Sequence, residues 1–469
     1  MSQDAAGLLR SLPSVSDFLG SEAGRALAGE FGEGALKFEL RRALDEVREA
    51  IRAGRAGAAP DPAALAGDVR RRLVRLGRPA GRRAINATGI LLHTGLGRAP
   101  LCAEAAEALA GCARYSVLQA DLRSGERSLR EEKVERLLRE LVGCEAATVV
   151  NNNAAATMLI LNTLVPGREV IVSRGQLIEI GGAFRLPEVM AKSGAVLREV
   201  GTTNRTHLRD YESAIGEATG AILHVHTSNY RVRGFASAPE IGELCELGRR
   251  RNLPVLDDLG SGALVPLREF GLPDEPLVAE SLAAGSLLVC FSGDKLISGP
   301  QSGIICGRGE AIERIRKNPF MRMFRVGKLT LAALEATLVH FLDGQSWRRA
   351  IPLYRMLARP VAEIQEQAQR LAQLAADIPG VALAVAEDLA YVGSGSAPDE
   401  GVPTRVVAVE AGKLSADGLA RELRLGLPAV FARIKDGRVL LDLRTVAAEE
   451  VEELAGCLRA AAARESERR

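Results

Sequence analysis

The spacing of hydrophobic positions changes along the chain. From Ala5 to about Gly54 they recur every three or four residues. In ALKFELRRALDEVREAIRAG, Leu36, Leu40, Leu44, Val47 and Ile51 fall on one helical face. Ser14 and Asp17, in LPSVSDFLG, stand where a helix cap and first turn belong, ahead of the apolar Phe18 and Leu19. The stretch AGRAGAAPDPAALAG, with its small residues and two prolines, reads as a linker. From about Asn86, short apolar runs (AATVV, EVIVS, AVLREV, AILHVHTS, PVLDDLG, SLLVCFSGDK) alternate with helical patterns, which predicts parallel βαβ units. A helical stretch, LTLAALEATLVHFL, follows Gly327 and is broken between Trp347 and Pro352. Beyond Tyr354, helix alternates with VALAVAED, TRVVAVEA and RVLLDLRTV. The pattern predicts an α/β protein with a helical N-terminal domain (1–75), a large domain with a mainly parallel sheet flanked by helices (76–345) and a small α+β domain (346–469).

Composition adds little to this architecture but narrows the setting. The 469 residues are 47% hydrophobic and 26% charged, the balance of a soluble globular chain. No apolar run approaches the roughly 20 residues that cross a bilayer, and Met1–Ser11 has no signal-peptide pattern. Seven scattered cysteines, without C-x-x-C, point to reduced thiols and a cytoplasmic protein. The net charge of +2 neither demands nor excludes a nucleic-acid partner, but its distribution is uneven. Residues 1–83 hold 15 basic against 11 acidic side chains, with Arg70, Arg71, Arg72, Arg75, Arg78, Arg82 and Arg83 crowded together. A solvated helix face is the simpler reading of that run, and a phosphate-backbone surface the sharper one.

Three segments carry candidate chemistry. In FSGDKLISGPQSGIICG, Lys295 follows an apolar strand amid small residues, where a neutral, desolvated amine can meet a cofactor carbonyl. In PVLDDLGSGAL, Asp257 ends a strand at the sheet edge where α/β folds bind ligands. A carboxylate there keeps a pyridine nitrogen protonated, although a helix N-cap role suits Asp258 as well as Asp257. In AATVVNNNAAATMLILNTL, Asn152, Asn153 and Ala154 open a helix whose free N–H groups suit a phosphate. His224 and His226 share a strand face, but their spacing argues only weakly for a metal and none is expected.

The chain resembles the bacterial selenocysteine synthases, fold-type-I pyridoxal-phosphate enzymes. The resemblance runs through LLRSLPSVSDFL, INATGILLHTGLGRAPL, LIEIGGAFRLPEVMAKSGAVLREVGTTNRT, HVHTSNYRVRGF, LDDLGSGAL, FSGDKLISGPQSGII and MRMFRVGKLTLAALEATL. It implies conversion of seryl-tRNA(Sec) to selenocysteinyl-tRNA(Sec) with selenophosphate, by β-elimination to an aminoacrylyl group and selenium addition. It also implies a tRNA-binding N-terminal head and a homo-oligomer, at least a dimer and by analogy a ring of dimers. On this resemblance Lys295 carries pyridoxal 5'-phosphate, Asp257 pairs with its ring nitrogen, and Asn152, Asn153, Ala154 and Ser292 surround its phosphate. Arg98, Arg322 and Arg325 grip the selenium-donor anion, the last two from one face of a helix or turn, and Asp294 positions the lysine or the substrate. Many fold-type-I enzymes stack a ring on the cofactor. Glu179 stands near that position and cannot stack, which leaves His226 as a neighbour of the site. Two alternatives stay open: a pyridoxal-phosphate lyase or transferase acting on a small free amino acid or amino sugar acid, and a non-catalytic tRNA-binding protein on a degenerate enzyme fold.

Overall fold

The computed structural model describes residues 3–77, 81–181, 184–230, 232, 234–412 and 414–463, so Arg78 of the basic run lies outside the described residues. Contacts divide the chain into two compact units, Met1–Arg83 and Ala84–Arg469.

The first unit is helical: α1 (Gln3–Arg10), α2 (Val15–Gly20), α3 (Glu22–Phe31), α4 (Glu33–Arg52) and α5 (Pro62–Leu76). The Ser14 hydroxyl accepts the Asp17 N–H at 3.0 Å, which caps α2. Leu36, Leu40 and Leu44 of α4 meet Phe18, Leu27, Leu65, Val69 and Leu73 in one core, while Val47 is half-buried. The Pro-rich stretch expected as a linker instead opens α5. Asp61 caps the Ala63 N–H and Pro62 occupies the first turn, where its missing donor costs nothing. Part of the basic run is neutralised internally: Arg72 bonds Glu46 and Asp68, Arg71 bonds Asp68, and Arg70 bonds Glu30.

The second unit begins with β1 (Ala84–Ala87), α6 (Ala103–Gly111) and α7 (Glu132–Val142). Next come β2 (Ala146–Val150), α8 (Asn153–Leu164), β3 (Glu169–Ser173), β4 (Val196–Val200) and β5 (Thr219–Val225). They are followed by β6 (Val255–Gly260), β7 (Leu288–Ser292), β8 (Gly303–Gly307) and α9 (Lys328–Val339). The last strands are β9 (Val381–Gly393), β10 (Ser396–Ala411), β11 (Ala429–Lys435) and β12 (Arg438–Asp442). Seven of these form a sheet in the order β2-β8-β7-β6-β5-β3-β4. In it β8 runs antiparallel to both neighbours and the other pairs are parallel. Helices cover both faces, which is why β2, β7 and β8 are buried throughout. Val134 and Leu138 of α7 pack with Val149, Val289 and Phe291 on one side. Ala156, Leu159 and Ile160 of α8 pack with Val150, Cys290 and Ile305 on the other.

A second sheet has the order β1-β11-β12-β10-β9. Because Ile85 of β1 pairs with Val430 of β11, segments from both ends of this unit share one sheet. The boundary expected near residue 345 therefore does not divide the chain. Arg444 is a keystone here. It is only 2% exposed, and its guanidinium donates to the carbonyls of Met356, Arg359 and Pro403. Burial pulls its pKa down to about 10, so it stays cationic at neutral pH. Replacing it by methionine, Arg444→Met, strands those carbonyls and should cost about 3–5 kcal/mol. The expected readout is a lower denaturation midpoint with the cofactor spectrum of the surviving folded protein unchanged.

Candidate active site

At the carboxyl end of β2 the chain turns directly into α8. The Asn152 side chain caps the Ala155 N–H at 2.9 Å, which leaves the N–H groups of Asn153 and Ala154 as the first-turn donors no helical carbonyl can reach. Gly303 makes this turn possible: a Cβ there would stand 2.2 Å from the Asn152 carbonyl oxygen. Ser292 pairs with Gly303 across the β7–β8 ladder, so it flanks the same turn. The expected phosphate-binding group is therefore assembled in one place.

Lys295 lies in the tight turn between β7 and β8. The Gly293 N–H bonds the Ser302 carbonyl and the Gly299 N–H bonds the Gly293 carbonyl, each at 2.9 Å. From below, the Tyr354 hydroxyl donates to the Leu296 carbonyl at 2.7 Å, and Tyr354 is itself wedged against Trp347 with ring centroids 4.8 Å apart. The lysine is buried, and burial, followed by the nearby Arg98 cation, lowers its pKa. Asp258, Asp294 and Glu275 act in the opposite direction. Gly260 lies beside the amine: a Cβ there would be in ordinary contact, 3.9 Å from Lys295 Nζ, and the backbone φ of 64° is what favours glycine.

The two adjacent aspartates face opposite sides of the sheet, as strand pleating requires. Asp258, in register with Cys290, lies on the α8 side. It accepts from Asn153 Nδ2 at 2.7 Å and from the Thr157 hydroxyl at 2.8 Å. Asp257, in register with Val289, lies on the other side and bonds His224 Nδ1 at 2.7 Å and the Ser281 hydroxyl at 2.5 Å. Of the two, Asp258 is the acid that shares a side with α8 and lies within the field of Lys295, whereas the expected Asp257 lies on the other side. Burial pushes the Asp258 carboxyl up, the state of an acid that lacks a full cationic partner.

Arg98 forms an ion pair with Asp294 at 2.7 Å and adopts the left-handed conformation, φ 64°. Arg322 belongs to the short helix Phe320–Met323, and Arg325 lies two residues beyond its end, in a bridge to Val150, so a helix does not carry both. They meet instead around Arg130, a residue the sequence did not single out. Burial and the cations of Arg325 and Arg322 lower the Arg130 pKa. Arg130 donates to the Val326 carbonyl at 2.8 Å, and among the described residues Arg130, Arg322 and Arg325 form no ion pair. No contact among the described residues joins Arg98 to this group. Glu179 is exposed and pairs with Arg185 at 3.2 Å. His226 bonds Glu275 at 3.0 Å on the wall of an open cavity of about 860 Å³, which Thr202, Thr203 and Tyr230 also line.

These residues fit pyridoxal phosphate: a helix start for the phosphate, a buried acid for the ring nitrogen and a desolvated lysine for the carbonyl. Two buried oxygens without hydrogen-bond partners, Asn153 Oδ1 and Asp294 Oδ1, lie within this group.

The profile of the family described as L-seryl-tRNA selenium transferase matches residues 84–447, and that described as selenocysteine synthase N terminal matches residues 9–48. The L-seryl-tRNA(Sec) selenium transferase of Solidesulfovibrio magneticus is 48% identical over 96% of this chain and 97% of its own length. That of Desulfomicrobium baculatum is 48% identical over 97% and 99%. Among solved structures, a D-glucosaminate-6-phosphate ammonia-lyase superposes with a TM-score of 0.58 at 22% identity, covering 84% of this chain and 98% of that one, a likeness of fold.

Removing the Arg98 cation and freeing Asp294 both raise the Lys295 pKa. The pH at which pyridoxal phosphate becomes covalently attached should therefore move upward in Arg98→Gln, as read by a titration of its visible absorbance. A downward shift contradicts the electrostatics described here.

Proposed function

The chain belongs to the L-seryl-tRNA selenium transferase family, and on that premise we propose how its own residues carry the reaction. The reaction is conversion of seryl-tRNA(Sec) to selenocysteinyl-tRNA(Sec), and the cofactor is pyridoxal phosphate. The cofactor supplies a carbonyl that condenses with amines and a ring that withdraws electrons from the neighbouring carbon. Lys295 Nζ, its pKa lowered by burial and by Arg98, would hold the cofactor and then take the α-proton of the seryl group. Asp258 accepts the ring N–H and so keeps the ring electron-poor. The N–H groups of Asn153 and Ala154, with the Asn152 turn and the Ser292 hydroxyl, hold the phosphate. Asp294 is fixed through Oδ2 by Arg98 while its Oδ1 is buried without a hydrogen-bond partner, and we assign it to orienting the lysine or the substrate.

We assign Arg322, Arg325 and Arg130 to an anion site for selenophosphate. The cations of Arg325 and Arg322 act on Arg130, none of the three forms an ion pair among the described residues, and a tetrahedral anion would neutralise them. Residues 1–75 are the proposed tRNA-binding head, supported by the N-terminal profile match. Among the described residues no helix is long and apolar enough to cross a membrane, and we place the protein in the cytoplasm with its tRNA substrate. Exposed Tyr115, Val117 and Leu122 support a homo-oligomer, at least a dimer and in our reading a ring of dimers.

The observation that carries the mechanism is a buried lysine, Lys295, within the field of Asp258, which is itself bonded to the start of α8. Incubation with seryl-tRNA(Sec) and selenophosphate should give selenocysteinyl-tRNA(Sec), whereas Lys295→Ala should give none and lose the borohydride-sensitive absorbance. Asp258→Asn should lower kcat by on the order of 100-fold or more. Asp257→Asn should leave the position of the cofactor absorbance band unchanged. If Asp257→Asn moves that band and Asp258→Asn does not, the ring nitrogen belongs to Asp257.

A further inference from the structure

Away from the active site, the start of α6 meets the end of α9. Cys102 caps α6, Glu104 lies in its first turn, and His340 follows the last residue of α9. One ligand atom from each (a thiol sulfur, a carboxylate oxygen and an imidazole nitrogen) lies within 4.8 Å of the other two. Cys102 is buried with its neighbours Ala105 and Ala333, while Glu104 reaches solvent and leaves an entry path.

The three groups already converge. Ser346 Oγ donates to the His340 carbonyl at 2.9 Å and lies 3.3 Å from His340 Nδ1, while His340 Nε2 lies 3.1 Å from Glu104 Oε2. The Cys102 thiol hydrogen-bonds the same Glu104 carboxylate and Thr337. A divalent ion would engage the sulfur, the carboxylate oxygen and Nε2 together, with Nδ1 carrying the ring hydrogen toward Ser346.

We propose that Cys102, Glu104 and His340 form a binding site for a divalent transition-metal ion, zinc above all, with water as the fourth ligand. Soft sulfur, borderline nitrogen and hard oxygen together suit zinc, and bond lengths of roughly 2.0–2.3 Å place tetrahedral ligands about 3.3–3.8 Å apart. The measured nitrogen–oxygen separation is already close to that, and closing the site needs the sulfur to move by no more than about 1 Å. Binding replaces the Cys102 thiol proton, which passes to the buffer, and ties α6 to α9. The Ser346 hydroxyl serves as the outer hydrogen-bond partner that orients a metal-bound imidazole.

The test uses the full-length holoenzyme, stripped with a chelator under a non-thiol reductant, then titrated with zinc and separately with cobalt. The wild type should bind one zinc per chain. Cobalt should give visible ligand-field bands at wavelengths beyond the cofactor's absorbance. Cys102→Ser should abolish the tetrahedral thiolate spectrum, and His340→Gln should weaken zinc binding at least tenfold, both with cofactor content retained as the sign of a folded protein. Zinc should also raise the thermal midpoint of the wild type and of neither variant. Absence of stoichiometric zinc binding by the wild type, or equal affinity in both variants, overturns the site and leaves a hydrogen bond between His340 and Glu104.

Discussion

Burying an amine without a matching anion favours its neutral form, and the placement of Lys295 imposes that condition on everything around it. Asp258, Asp294 and Glu275 pull toward the charged form; burial and Arg98 pull away from it. The balance requires the lysine turn to stay where it is. That is the task of the small residues in the turn, the Tyr354 hydroxyl on the Leu296 carbonyl and the aromatic packing beneath. The same turn positions Ser292 and Gly303 against the start of α8, so the phosphate cradle and the reactive amine share one support.

Periodicity located the strands, the helical head and the lysine because each is a local property of the chain. It failed where the answer depends on parity or on distant partners. Asp257 and Asp258 are equivalent by propensity, and only the register of β6 against β7 decides which one faces α8; a shift of one residue exchanges their roles. Arg130 gave no local signal at all, being nearly two hundred residues from Arg325 in sequence and joined to it only through the fold. The PDP sequence that suggested a linker also contains an N-cap and a first-turn proline, which the following helical pattern of α5 resolves.

Charge followed the same rule. A run of arginines looks like one positive surface in sequence, yet Arg70, Arg71 and Arg72 are already committed to acids of the helical unit. Their contribution is to helix packing as much as to any phosphate backbone. In the unit that holds the reactive lysine, Arg130, Arg322 and Arg325 form no ion pair among the described residues.

The left-handed backbone of Arg98 bears on how the protein can evolve. A non-glycine residue at φ 64° carries conformational strain that glycine would relieve. Directed evolution toward heat resistance would thus be drawn to Arg98→Gly at the very point where losing the guanidinium recharges the lysine. Robustness and turnover pull against each other at this residue.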